Sequence, residues 1–507
     1  MATNVTMSSI NLVSGALQEL RAKGSADALT YGDSSDAMSL FLPRMQKIVP
    51  YAVAEQTICF NSAPSGAWTR QCYKAEISRT GPLLRKLYFS CVLSALPDPS
   101  ISSSKILTKI WTPAVMYAMT ENYKLTAGNV CVTEGCTEYL VLNNELCRSE
   151  AEKEGLSVGD YGLYIRGCAV RGSSIRNDQD TIDAGVAFST RSQELNMELP
   201  LPMSDHASKA LNLANSHRTK WEIELTLRAR DDVVLQFTQD HTAETGGVIA
   251  APGAVSLSSG EGEMSEAHLK GVYVFLDDLE HQMRMSVPSM MFYTYPQKQE
   301  IAIVDSDHNT RKEVRSYFNN QLKDVMFCFR AADRTSTIGF KRWCEFGAYR
   351  ANRHIEDHDA GTGFYGQHEV FNAIARFDVH VNNFPRIQTR TDYLHKTIPS
   401  ARGACKPKRQ CYLYSFADDH SIVDLLPGSM NASAIDHLVL SFHMRQRLES
   451  ATAVGTVSDE LVSGLQTGTA GGNSPIGNVA GTIFVFSNTG NFLYQENGNV
   501  RVLNAGN

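Results

Sequence analysis

Along most of the chain, apolar and polar residues alternate with a period of two, as in strands buried on one face. In "TKWEIELTLRAR" (219–230), Trp221, Ile223, Leu225 and Leu227 fall on one side. Lys220, Glu222, Glu224, Thr226 and Arg228 fall on the other. A helix would spread the same residues around its whole circumference. "CYKAEIS" (72–78) sets Tyr73, Ala75 and Ile77 against Lys74 and Glu76, and the turn "RTGP" follows. "LLRKLYFSCVLSAL" then puts Leu87, Phe89, Cys91 and Leu93 on one face, so the two runs predict a strand pair. "GVYVFLDD" (271–278) is almost continuously apolar, which predicts a strand buried on both faces.

The second half uses the same grammar. "LKDVMFCFR" (322–330), "ARFDVHVNN" (375–383), "QCYLYSFA" (410–417), "DHLVLSFHMR" (436–445) and "GTIFVFSN" (481–488) all read as strands. A short helix is expected over 9–23, stopped by Gly24, and convincing helices elsewhere are few. Many short strands without β–α alternation indicate sandwiches or barrels, and both halves have this character. Two Gly- and Ser-rich stretches, 242–265 and 452–481, are expected as exposed loops.

Length turns this pattern into two bodies. A chain of 507 residues is too long for one ordinary core and suits two large domains. With 43% apolar and 20% charged residues it has enough of both for full cores and a solvated surface. The net charge of −7 gives no electrostatic footprint for nucleic acid, so no direct nucleic-acid contact is expected. No apolar run approaches the ~20 residues of a spanning helix. The opening "MATNVTMSSINLVSGALQELRAKG" has neither a basic start nor a long apolar run and is not expected to be a secretory signal. Eleven cysteines, scattered singly, are expected as reduced thiols packed like small hydrophobes. Asn4 and Asn431 sit in N-x-S/T sequons that a chain outside the secretory route would not use.

Candidate chemistry is thin. "GTGFYG" (361–366) matches G-x-G-x-x-G, but the preceding "NRHIEDHDA" is polar and no buried strand leads into it, so a surface turn is the better reading. His354 and His358 lie four apart without the H-E-x-x-H order, and "HEVFN" (368–372) lacks a second His, so a solvated loop is favoured over a metal. Cys131 and Cys136 in an expected strand–loop–strand, and Cys405 and Cys411 beside "KPKR", leave a structural metal open. Asp277 with Asp278, and Asp418 with Asp419, are adjacent and would face opposite ways in a strand, so they are expected to end strands. The basic cluster "KPKRQ" (406–410) reads as a solvated loop, or else as a contact for an acidic partner or neighbouring subunit. No nucleophile elbow is present. The expectation is no catalytic residue, no cofactor-binding residue and no committed metal ligand.

Five segments, in order, resemble the major capsid proteins of the nucleocytoplasmic large DNA viruses. Tyr414-Ser415-Phe416-Ala417, then Pro427-Gly428-Ser429, Asn431, Ser433, Ile435-Asp436, Leu438 and Leu440, follow a family pattern of strand, structured loop and alternating strand. "EISRTGPLLRKLYFSCVLSAL" (76–96) is similar to an early family hairpin ending near Leu96-Pro97, with Pro82 where the family has Asp. "VYVFLDDLEHQMRMS" (272–286) resembles the link into a second barrel. "RSYFNNQLKDVMFCFR" (315–330) matches at Phe318, Asn319, Lys323 and Arg330, with Gln321 for the usual Pro and Phe327 for the usual Trp. The end of the chain (482–507) resembles the family's closing segment.

The resemblance implies an all-β double jelly roll: a 1–27 arm, a first eight-stranded jelly roll over 28–275 and a second over 276–507. It implies a structural, non-enzymatic protein of the virion capsid, assembled in the infected host cell, in its cytoplasm. The partners implied are two further copies in a homotrimer, neighbouring capsomers, and minor capsid and penton proteins. The shell would surround an internal membrane without insertion. A different class of function, a lectin-like jelly roll, would be marked by an exposed aromatic beside acids or amides; "GTGFYGQHE" (361–369) is the candidate. A cupin-like metalloenzyme would need an H-x-H cluster, which the sequence lacks.

Overall fold

The computed structural model describes residues 49–96, 100–102, 105–112, 114–155, 193–240, 249–250, 257–304, 310–332, 343–344, 346, 373–405, 407, 409–422, 428–444 and 480–503. The helix expected over 9–23, "GTGFYG", His354, His358 and "HEVFN" lie outside them, as does nearly all of the 452–481 stretch.

Five antiparallel sheets make up the body. In the first, Tyr51–Ile58, Met264–Leu276, Leu83–Leu93 and Gln193–Glu198 lie side by side. In the second the order is Gln71–Glu76, Trp221–Leu227, Thr120–Ala127 and Val130–Cys136. A third runs Ile249–Ala250, Val234–Asp240, Lys105–Trp111 and Ser100–Ser102. In the fourth, Cys411–Ser415 and Asp324–Ala331 lie beside the long strand Gly481–Glu496, whose opposite edge pairs with Ser289–Ile303. The fifth runs Arg311–Arg315, Leu438–Met444, Ile374–Val381 and Phe384–Arg390. Strand pairing thus stays within 51–276 or within 289–502. Together the sheets build two jelly-roll sandwiches in tandem.

The alternation in the sequence does what its period dictates. Trp221, Ile223, Leu225 and Leu227 are buried, as are Tyr73, Ala75, Ile77, Leu87, Phe89, Cys91 and Leu93. In the fourth sheet Asp324–Ala331 and Cys411–Ser415 are buried on both faces. Val325, Phe327 and Phe329 point into a core shared with Phe377 and Phe442 of the fifth sheet. Met326 and Cys328, one residue out of phase, join a larger core with Leu140 and Leu142 of the helix Thr137–Cys147. One sheet therefore serves two cores. Phe327 anchors the inner one, its ring stacked on Tyr412 at 4.9 Å and tilted against Phe377 at 4.7 Å.

Several expectations are corrected. The runs 72–78 and 83–96 are not a pair: Gln71–Glu76 pairs with Trp221–Leu227, while Leu83–Leu93 pairs with Met264–Leu276. The turn between them crosses from one sheet of the sandwich to the other. Met264–Leu276 alternates buried and half-buried residues rather than burying both faces. Cys131 and Cys136 share one strand, with no loop between them. Asp277 and Asp278 do follow a strand end, but they also begin an unforeseen helix, Asp278–Ser286. That helix keeps acids in its first turn and Arg284 in its last, and Arg284 pairs with Glu280 at 3.1 Å, all favourable to the helix dipole and to i,i+4 pairing. The cysteines divide: Cys91, Cys136, Cys328 and Cys411 are buried, whereas Cys59, Cys72 and Cys131 are exposed.

Candidate functional site

The chemically distinctive region is the seam where the two sandwiches meet. Its centre is the helix Thr137–Cys147, buried almost all round. An apolar helix needs walls on every side. Here the second sandwich supplies one wall, so the helix's polar groups must find partners there.

Glu138 is 3% exposed and faces Arg330, with Lys298 at 3.9 Å. Burial pushes its pKa up, but the charges of Arg330 and Lys298 outweigh that and hold it at about 2. Two turns further, Glu145 lies 3.6 Å from Arg409. Tyr139 Oη donates to Asn488 Oδ1 at 3.0 Å, and Cys405 N donates to Leu146 O at 2.9 Å. Asn488 Nδ2 in turn donates to Asp324 Oδ2 at 2.9 Å, and Asn488 N to Asp324 Oδ1 at 3.0 Å. His420 Nε2 pairs with Asp324 Oδ2 at 2.9 Å. Lys323 Nζ donates to the carbonyls of His420 and Ile422 at 2.8 and 3.1 Å. The wholly buried Asp324 carboxylate is thus enclosed by donors, as a charge there must be.

Arg228 corrects its expected place on the outer face. It is buried, stacked 3.9 Å over the Trp343 ring, and donates to Thr137 Oγ1 at 2.6 Å and to Ala118 O. Arg330 lies on the same ring at 5.5 Å, and Trp343 Nε1 donates to Asp232 O at 2.8 Å. Strand period has no means of marking this arginine, because its partner is more than a hundred residues away. Arg230 likewise donates to the carbonyls of Leu257 and Glu261 at 3.1 and 2.9 Å. It pins the end of the 242–265 stretch that was expected as a free loop.

A second lock closes the seam elsewhere. Asn215 Nδ2 donates to Val287 O at 3.0 Å, Gln495 Nε2 to Asn212 O at 3.2 Å, and Asn212 Nδ2 to Arg284 O at 3.1 Å. The turn Asn497–Gly498 has positive φ at both residues, 50° and 85°, as a tight hairpin needs. Gly498 O accepts from Arg218 N at 3.0 Å and from Thr219 Oγ1 at 3.1 Å.

Those residues singled out in the sequence that the structure describes do not come together in one place. Among the described residues no three His, Cys, Asp or Glu side chains come together as a metal site. Cys131 is exposed while Cys136 is buried, its thiol pushed by burial up to about 12. Asp418 pairs with Arg402, and Asp419 Oδ1 accepts from Ser421 N at 2.8 Å as a turn cap. Arg409 of the basic cluster is not a solvated loop residue, since it reaches Glu145 and donates to Cys344 O at 3.1 Å.

The residues behind the resemblance have structural work instead. Tyr273 Oη donates to Ser78 O at 2.7 Å, and Leu213 N donates to Pro82 O at 2.9 Å, which fixes the inter-sheet turn. Asn431 Oδ1 caps Ser433 N at 3.2 Å, and Ser433 Oγ accepts from Asn320 N at 2.8 Å. Lys323 and Arg330 sit in the seam. What this arrangement does is mechanical: it joins two sandwiches through buried, mutually satisfied polar groups.

Two sandwiches locked in this way define the class of double jelly-roll proteins. Residues 39–277 match the family model described as "Major capsid protein N-terminus". The whole chain is similar to the solved structure "PBCV-1 virus capsid, quasi-atomic model", with TM-score 0.67 and 15% identity over 92% of this chain and 100% of that one. It is similar also to "Faustovirus major capsid protein", with TM-score 0.60 and 11% identity over 98% and 99%. At such identities the structures speak for the fold, and the family model speaks for the lineage of the first half. No curated protein matches the chain. Residues 39–277 thus match the N-terminal domain of major capsid proteins, and the chain as a whole has the double jelly-roll fold.

Proposed function

We propose that this chain is the repeating unit of the icosahedral shell of a large double-stranded DNA virus, three copies forming one pseudo-hexagonal capsomer. The observation that carries the reading is the seam. A shell tile must present two barrels at a fixed angle, and groups such as Glu138, Asp324 and Arg228 hold them so from inside. Three two-barrel chains around a threefold axis give six similar corners, and heterologous contacts that close into a ring do not grow into fibres.

The surface supports this. Leu279, Met283 and Val287 recur every four residues along and just past an exposed helix, with Met290 beyond; Leu279 is 72% exposed. Apolar side chains presented together in this way mark a surface that a partner covers, here a second copy of the chain. A trimer interface would bury on the order of 2,000 Å² or more. The proposal extends to an arm over 1–27, a first jelly roll over 28–275 and a second over 276–507. It extends also to contacts with neighbouring capsomers, penton and minor capsid proteins, to a shell enclosing an internal membrane, and to assembly in the host cytoplasm.

Light scattering on the purified protein tests the central claim. A mass of three chains that survives dilution through the micromolar range is expected. A monomer throughout that range would remove the self-sufficient capsomer.

A further inference from the structure

The seam leaves a cleft of about 980 Å³ open to solvent. One wall is the segment 129–136, which includes the edge strand Val130–Cys136 of the second sheet; the other is formed by Tyr295–Lys298 and Tyr317–Asn319. Tyr317 is 76% exposed, an aromatic ring presented to water with no hydrogen bond from its hydroxyl among the described residues. Asn122, Asn129, Asn319 and Glu134 line the same cleft, and their side chains make no hydrogen bond or ion pair among the described residues.

Charge narrows the ligand class. Lys124 and Lys298 are balanced by Glu134 and Glu224, so the cleft favours neither an anion nor a cation. Glu224 is already paired with Lys74, and Lys298 with Glu300. An extended peptide would need the edge of Val130–Cys136 as a continuous ladder. That ladder is interrupted: Val132 O already accepts from Tyr293 Oη at 3.2 Å, and the pairing with Thr120–Ala127 shifts register beside it. An apolar ligand would leave the carboxamides unsatisfied. A sugar ring answers the whole set, with C–H faces for a tyrosine and hydroxyls for carboxamide and carboxylate groups.

We propose that this cleft binds a neutral oligosaccharide, with the Tyr317 ring as stacking platform and Asn129, Asn319 and Glu134 reading hydroxyls. The candidate that the sequence offered at 361–369 lies outside the described residues; Tyr317 and Asn319 are a separate exposed aromatic beside an amide. The inference goes beyond the shell-forming role and does not depend on it. Saturation-transfer NMR on the full chain would test it, with chitotetraose, maltotetraose and mannotetraose as neutral probes and tetragalacturonate as an acidic control. Saturation of at least one neutral probe is expected, and Tyr317→Ala should weaken it about fivefold to tenfold while Tm and solution mass stay unchanged. Asn319→Ala, which keeps the backbone bond from Asn319 N to Gln297 Oε1, should weaken it also. Saturation of no neutral probe at millimolar sugar would overturn the proposal. So would binding of the acidic control alone, or neutral binding that survives both substitutions unchanged.

Discussion

Replacing Glu138 by Gln removes the carboxylate that faces Arg330, Lys298 and Arg228 and keeps the side chain's shape. A carboxyl held at about 2 instead of its usual 4.5 reports about 3 kcal/mol of native-state preference for the charged form. The substitution also leaves Arg330 without its partner in a buried site, for which a loss of about 3–5 kcal/mol is typical. Lys298 can turn toward Glu300, 2.6 Å away, so the lower end is expected. The sign of the pH dependence follows. Because the folded pKa is depressed, the stabilisation is fully present above the unfolded value and fades as pH falls toward 2. The gap between wild type and variant should therefore be about 3 kcal/mol at neutral pH and narrower by about 2 kcal/mol near pH 3. Urea denaturation followed by tryptophan fluorescence is the assay, since Trp343 lies against Arg228 and Arg330 and reports locally. A variant within about 1 kcal/mol of wild type at neutral pH would refute the seam as an electrostatic lock. A gap that does not change with pH would refute the depressed pKa.

Other outcomes follow from the same geometry. Gly498→Ala places a methyl 2.8 Å from Arg218 and His217 at a φ of +85° and should cost about 1–3 kcal/mol, read as a lower denaturation midpoint at constant slope. Arg228→Lys keeps the charge but loses the planar stack on Trp343 and the paired donors; a loss of about 1–2 kcal/mol is expected by the same assay, and an unchanged midpoint would show the stack to be idle. Leu279→Lys with Met283→Lys should leave Tm nearly unchanged, because both side chains are exposed, yet shift the scattering mass from three chains toward one. If that double variant stays trimeric, the exposed stripe is not the contact between copies.

The sequence by itself determined many of the strands and, in the most regular of them, which face is buried. Period-two alternation is a local property, and Trp221, Ile223, Leu225 and Leu227 needed nothing beyond their own spacing. It also carried the lineage: five weak segments in the right order spell a double jelly roll, because inter-sheet turns and loop caps such as Ser78, Asn431 and Ser433 each need a particular small or polar residue. Pairing was decided only in three dimensions. Two strands joined by a short turn can pair or can open across a sandwich, and the turn at 79–82 does the latter through contacts from Tyr273 and Leu213. The seam was equally hidden. Arg228 occupies a polar slot in an alternating strand, and nothing local distinguishes a cation facing water from one buried against Trp343 beside Glu138. Buried charge is a statement about partners far along the chain, and only the tertiary fold brings those partners within reach.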